Sequence, residues 1–458
     1  MPFLGTTGGG SVKQYGGQAN LGYFIKNSLR LRKSVPGYLT RTFGTPTNTT
    51  AFTLSFWVKR GSLGSLQQFF LATLGGAGVV QGNIEFQSDD TIHYWGYNGS
   101  SSVFDLVTTQ VFRDPAAWYH IVAVWDSANA TSSSRVRLYV NGTQVSSFSS
   151  STYPSQNASN ATIAWNTAVT HYISRASVYP IDCYIAEINF IDGQALTSSS
   201  FGKTDAVTGQ WIPKKYLSTY GNNGFYLKFA DASAATAAAI GKDSSPNGNN
   251  WTPNNISVTA GVTYDAMIDS PSLSGAASNY CVFNPLDVTS AVTLSEGNLK
   301  ALAASGAVSL NIRGSIGVSS GKWYWETTVS VVSGAMMTGI GTAAVSQSGS
   351  GLNQTGAFCY FGTSASVGLY KGSSNSAVAN TFIANDVIGI AFDADNLTIQ
   401  FFKNNSSEGT LTGLTAGTYF PTVSCVPTTG AWFANFGQRP FTYTPPSGFK
   451  SLNTFNLP

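Results

Sequence analysis

From Asn27 onward the chain is written in short runs of alternating apolar and polar residues, broken by turn clusters. A period of two is the spacing of a half-buried strand, and it constrains this fold more than any other feature. The clearest run is RVRLYVNGTQV. Val136, Leu138 and Val140 fall on one face, Arg135, Arg137 and Tyr139 on the other, and Asn141-Gly142 supplies the pair that a tight hairpin turn prefers. Phe52, Leu54, Phe56 and Val58 share a face in AFTLSFWVKR, and IAEINFIDG repeats the alternation up to Asp192-Gly193. WYHIVAVW (118–125) is apolar almost throughout, which predicts a strand covered on both sides. Further on, Trp323, Trp325, Thr327 and Val329 alternate with Tyr324, Glu326 and Thr328, and DVIGIAFDADNLTIQFFKN reads as two strands joined over 393–396.

Composition removes the other classes. Only 10% of residues are charged, too few for the outer faces of long helices or coiled coils, while 13% are aromatic, too many for a disordered chain. A length of 458 residues allows two or three domains. The expectation is an all-β protein of two antiparallel sandwiches. Residues 231–275, Ala-rich and then Asn/Gly/Pro-rich, are expected to bridge them, with a short helix open to the alanines and with Trp251 and Tyr264 packing on the neighbouring domains. Residues 1–25, Gly-rich and aperiodic, read as an extended arm.

Charge is unevenly placed. Eight basic residues precede the first acid, Glu85. Among them Lys13, Lys26, Arg30, Arg32 and Lys33 are candidates for docking on an acidic surface, protein or nucleic acid, against the alternative that they protect a strand edge. No basic helix or nucleic-acid motif accompanies them, which favours a protein surface.

The N-terminal segments FTLSFWVKRG, WYHIVAVWD, RVRLYVNGTQV and YIAEINFIDGQALTSSSFG resemble laminin-G-like, concanavalin-A-like jelly-roll domains. The C-terminal segments GKWYWE, IGIAFDADNLTIQFFKN, TYFPTVS and FANFGQRPFTYTPPSGF resemble a SPRY domain. The tandem order, with the bridge GKDSSPNGNNWTPNN, is similar to a class of bacteriophage virion proteins, usually tail fibres or other surface appendages. One departure is YPIDCYIAE, where Cys183 stands in place of the usual glycine and implies a different turn.

That resemblance implies a concanavalin-A-like sandwich over 26–230, a loop-rich bridge over 231–275, a SPRY-like sandwich over 276–458, and residues 1–25 as a virion anchor. It implies adhesion to a host-surface glycan or protein through rim loops. The expected partners are other virion proteins, the expected state is a homo-oligomer (trimers are usual for fibres), and the location is the tail or capsid surface after assembly in the host cytoplasm. A capsid decoration or head-fibre protein that stabilises the shell is the alternative, and a polysaccharide-processing enzyme is a second.

Bond-breaking chemistry finds little support in the residues. Glycoside hydrolysis needs two convergent carboxylates. The five glutamates (Glu85, Glu187, Glu296, Glu326, Glu408) form no E-x-D-x-E pattern, and Glu187 and Asp192 have the odd spacing of opposite strand faces. No Gly-x-Ser-x-Gly elbow has a plausible acid and base. His120 reads as a hydrogen-bonded strand residue, and Glu326 as a structural partner for a loop. Cys183, Cys281, Cys359 and Cys425 are widely separated from each other and from the three histidines, so no zinc spacing exists and each reads as a small buried hydrophobe. Asp89-Asp90 and Asp393 with Asp395 are the tight acidic pairs, the latter suited to capping a turn. No catalytic residue, metal or cofactor is expected. Neither a secretory leader nor an 18-residue apolar run is visible, so no membrane insertion is expected.

Sugar binding would use exposed rings, which stack on the apolar faces of pyranoses. The candidates are Tyr94, Trp95 and Tyr97 in DDTIHYWGYNGSS, with Trp95 and Tyr97 on one face of a strand and Tyr94 on the other, one of the two faces being core. Tyr370 and Lys371, in a Gly/Ser-rich region, are a second candidate pair.

Overall fold

The computed structural model describes residues 22–75, 79–175, 179–304, 309–349, 351–363, 367–425 and 429–458. Strands make up 44% and helix 2%, and the sheets are antiparallel, as the period-two pattern predicts. The chain divides into two units: Asn27–Pro271 with Thr293–Ala301, and residues 22–26 with Ser272–Val292 and Leu302–Pro458. Most of the arm read over 1–25 lies outside the described residues.

The first unit is a sandwich of two sheets. One runs, in spatial order, Thr143–Gln144, Val136–Val140, Trp118–Asp126, Ala51–Arg60, Cys183–Asp192, Ser28–Leu31 and Ala266–Met267, with Phe225–Leu227 also paired to Cys183–Asp192. The other runs Phe148–Thr152, Ser102–Val111, Thr91–Asn98, Val80–Phe86, Gln67–Thr73, Thr170–Ile173, Tyr38–Thr42 and Thr252–Asn254. The predicted hairpin is present: Asn141 and Gly142 have φ of 46° and 87°, and Val140 pairs with Thr143. The inward faces meet in an aromatic core in which Trp165 lies 5.5 Å from Phe52 and 4.9 Å from Phe70 between ring centroids.

Trp118–Asp126 is covered on both sides for a visible reason. Its outward residues Val122 and Val124 lie under a second cluster built from Tyr139, Ile191, Phe201, Tyr216, Tyr220 and Tyr226. His120 sits on the same side, its ring 4.7 Å from Trp57 and 6.0 Å from Trp211. Trp211 donates its indole N–H to His120 Nδ1 at 2.9 Å, Ser55 Oγ meets Nε2 at 2.9 Å, and burial holds the imidazole down to about 3, so it is neutral at any working pH.

The segment 231–271 packs within this sandwich. Trp251 is fully buried among Phe43, Phe70 and Phe225, Thr252–Asn254 pairs with Tyr38–Thr42, and Ala266–Met267 pairs with Ser28–Leu31. The alanines form turns over 237–241 in place of a helix. A loop-like composition hid this, because one tryptophan and two very short strands carry the attachment. Alternation also breaks within Cys183–Asp192: Glu187 has φ of 53° in a bulge between Ala186 and Asn189, so residue counting does not assign its face.

In the second unit one sheet contains, in order, Ala431–Asn435, Lys322–Val331, Val387–Asp393, Thr398–Lys403 and Ser406–Leu411, with Lys450–Ser451 parallel to Lys322–Val331. The other runs Ser348–Gly349, Ser309–Arg313, Phe420–Cys425, Met336–Gly341, Ala357–Phe361, Gly368–Lys371 and Ser374–Ala377. The turn after Asp393 is capped as expected, with Asn396 donating its backbone N–H to Asp393 Oδ1 at 2.9 Å. Glu326, buried in its strand, accepts the backbone N–H groups of Thr442 and Tyr443, each at 2.8 Å, and so ties the closing loop to the sheet. All four cysteines are free thiols and buried.

Candidate functional site on the outer face of the second sheet

Strand Thr91–Asn98 turns Ile92 and Tyr94 inward, where Tyr94 packs on the rings of Phe104 and Trp165 and the bare Gly96 lets Ile163 approach. Tyr94 is fully buried and is therefore core; it cannot meet a ligand. His93, Trp95 and Tyr97 consequently point outward, and each is half-buried. The sheet register then decides what lies beside them. Trp95 is paired with Asn83 on one side and Asp105 on the other, and His93 is paired with Glu85. Continuing across the sheet, Asn83 is opposite Leu71, Leu71 opposite Tyr172, and Tyr172 opposite Thr40. At about 4.8 Å per strand, Trp95 and Tyr172 stand roughly 14 Å apart on one line.

Hydrogen bonds converge on one carboxylate here. Glu85 Oε1 accepts from Trp95 Nε1 at 3.0 Å and from Gln87 Nε2 at 2.6 Å, and lies 3.2 Å from His93 Nδ1. Glu85 Oε2 accepts from Gln68 Nε2 at 3.4 Å and from Asn83 Nδ2. His93 Nε2 meets Asp105 Oδ1 at 2.5 Å, and Ser150 donates to Asp105 Oδ2 at 2.5 Å. Burial acts to lower the imidazole pKa, but bonds to Glu85 and Asp105 outweigh it and raise the value. The His93 and Trp95 rings are stacked, 5.6 Å apart at 22°. The result is a rigid acceptor-rich patch with one tryptophan edge held in place.

The remaining sequence candidates do not assemble into a site. Tyr370 is buried beside Phe361, and Lys371 spends its ammonium on the carbonyls of Thr412 and Gly413. Arg30 and Arg32 are buried inside the first unit on Asp265, at 3.0 and 2.9 Å, so neither is available to a docking surface. Lys26 and Lys33 are exposed, and Lys13 lies outside the described residues. Glu85, His93, Asp105, Asn83, Gln68 and Tyr172 were missed. His93 was available from its spacing of two from Trp95; the others needed the register. Asp90 binds Arg60 and Arg113, and Asp89 accepts from Thr91. Among the described residues no three His, Cys, Asp or Glu side chains are arranged to hold a metal ion, and no helix is long and apolar enough to cross a membrane.

This architecture defines a tandem β-sandwich protein. Residues 36–199 match the concanavalin A-like lectin/glucanases superfamily model Laminin_G_3, and residues 322–439 match the SPRY domain model. The chain thus carries a Laminin_G_3 domain followed by a SPRY domain. Among solved structures it is similar to the SPRY domain of human HERC1 (19% identity, 33% of this chain and 96% of that one, TM-score 0.29). It is also similar to the TRIM65 PSpry domain (11% identity, 34% and 92%, TM-score 0.29) and to stonustoxin (16% identity, 34% and 27%, TM-score 0.29). No curated protein matches it.

Proposed function

We propose that this chain is a non-catalytic adhesion protein of a virus particle, a tail-fibre-like appendage whose first sandwich takes a host-surface glycan on the Trp95–Tyr97 face. The observation that carries the reading is the placement of two half-buried rings on one outer sheet face, beside Asp105, whose partly exposed carboxylate keeps lone pairs that can accept sugar hydroxyls. The acids of this face are tied to Trp95, His93, Asn83 and Ser150, which favours holding a ligand over moving a proton. Placement on a virion rests on the sequence resemblance described above; the comparisons supply the tandem order of the two domains and nothing finer.

A glycan array probed with the purified chain tests adhesion: signals are expected that vanish in Trp95→Ala, with no sugar released from the bound glycans. Sugar release that is lost in Glu85→Gln would make the protein an enzyme. Antibody against the chain should label the tail of purified particles in electron micrographs. Labelling spread over the shell lattice would favour the decoration role.

A further inference from the structure

We propose that the Trp95 face selects neutral, hydroxyl-rich glycans and excludes those bearing carboxylates, sulfates or phosphates; this rests on the glycan-adhesion reading above. In the cluster around Trp95, Asp105 is the acid left partly open to solvent, while Glu85 is buried and fully engaged. Glu85 and Asp105 flank the Trp95 position, and the amide N–H groups of Asn83 and Gln68 are already given to Glu85. Their carbonyl oxygens, Asn83 Oδ1 and Gln68 Oε1, are buried beneath the face and add to its negative potential without meeting a ligand. His93 is the basic side chain of the cluster, yet both of its nitrogens face carboxylates, at 3.2 and 2.5 Å, so it is not free to meet an anion. Asp105 keeps about a quarter of its side chain exposed beside Trp95, where its further lone pairs reach solvent.

A hydroxyl brings a donor to the open oxygens of Asp105. An anionic substituent brings another acceptor and a like charge, which such a patch repels. The line from Trp95 to Tyr172, roughly 14 Å, suits several sugar rings in place of one.

The test titrates wild type, Trp95→Ala, Tyr97→Ala and Asp105→Asn with dextran, mannan and laminarin as neutral probes and with polygalacturonate and alginate as anionic ones. Melting curves show which variants stay folded, and Tyr97→Ala stands in should Trp95→Ala not fold. Wild type is expected to bind at least one neutral polymer tenfold or more tighter than either polyuronate. The ring variants should lose at least tenfold, and Asp105→Asn should narrow the neutral-over-anionic gap at least threefold. Polyuronate bound as tightly as the neutral polymers, and lost in the ring variants, overturns the charge selection while leaving glycan adhesion standing. Neutral binding unchanged in folded ring variants overturns the site. Wild type binding none of the five polymers overturns the adhesion reading itself.

Discussion

Trp95 and Glu85 are ten residues apart in the chain and joined by one hydrogen bond, indole Nε1–H to Oε1 at 3.0 Å, across a single hairpin whose register places Glu85 opposite His93. The same carboxylate accepts from Gln87, Asn83 and Gln68. Glu85→Ala leaves these donors without an acceptor, two of them on buried amides. The expected cost is about 2–4 kcal/mol, read from denaturant midpoints, because an orphaned buried donor loses its full desolvation energy. Trp95 emission should shift to the red in the variant as the ring is released. An unchanged midpoint would show that the cluster contributes nothing.

His93 gains two carboxylate partners on folding, so its pKa is raised over the unfolded value. Stability from this source is therefore complete below about pH 6.5, the unfolded value, and is lost as pH rises through the higher folded value. Melting temperature should fall over that window, and His93→Gln should flatten this part of the profile. NMR titration of the His93 ring reads the same shift directly.

Asp182 works in the opposite chemical sense with the same sign. Burial lifts its carboxyl to about 7, with the backbone N–H of Gly297 bound to Oδ1 at 2.6 Å as the main opposing contact. A folded value above the unfolded one means that stability is full below about pH 4 and lost progressively as pH rises to about 7. Asp182→Asn keeps an acceptor for Gly297 and removes the buried charge. Its melting temperature relative to wild type should climb by several degrees between pH 4 and pH 8, and a gap that stays constant refutes the assignment.

Gly96 sits where the short 3-10 turn Asn160–Ile163 crosses the inner face of its strand. A Cβ there would lie 2.3 Å from Ile163 Cγ2 and 2.7 Å from Phe104 Cε1. Gly96→Ala should cost about 1–3 kcal/mol through overpacking. Gly248→Ala, with nothing within 4 Å of its Cβ, serves as the open-space comparison, though its φ of 70° carries a strain of its own.

In the second unit, Glu326→Ala removes the acceptor of the Thr442 and Tyr443 backbone N–H groups. A loss of about 2–4 kcal/mol is expected. Proteolytic nicking should begin near residues 442–443, since the closing loop is released first.

Much was legible in the chain as written. Period two gave strands; Asn141-Gly142 and the run over 393–396 gave hairpins; sparse charge excluded long helices. These are local matters, fixed by side-chain alternation and by which residues tolerate a left-handed turn. Which strand lies beside which is not local. The 231–271 segment looked like a linker because its composition is loop-like, while its place depends on Trp251 finding a cavity lined by Phe43 and Phe225. Arg30 and Arg32 looked like surface charges because Asp265, more than 230 residues later, is their partner.

By itself, then, the sequence determined that this is an all-β protein with two sandwich-forming blocks and that Trp95 and Tyr97 share a face. Only the tertiary structure decided that this face looks outward, that Tyr94 is core, and that Glu85, His93 and Asp105 meet beside Trp95. The reason is physical: alternation sets which residues lie on the same side of one strand, whereas cross-strand register and the burial of one face come from packing between segments far apart in the chain.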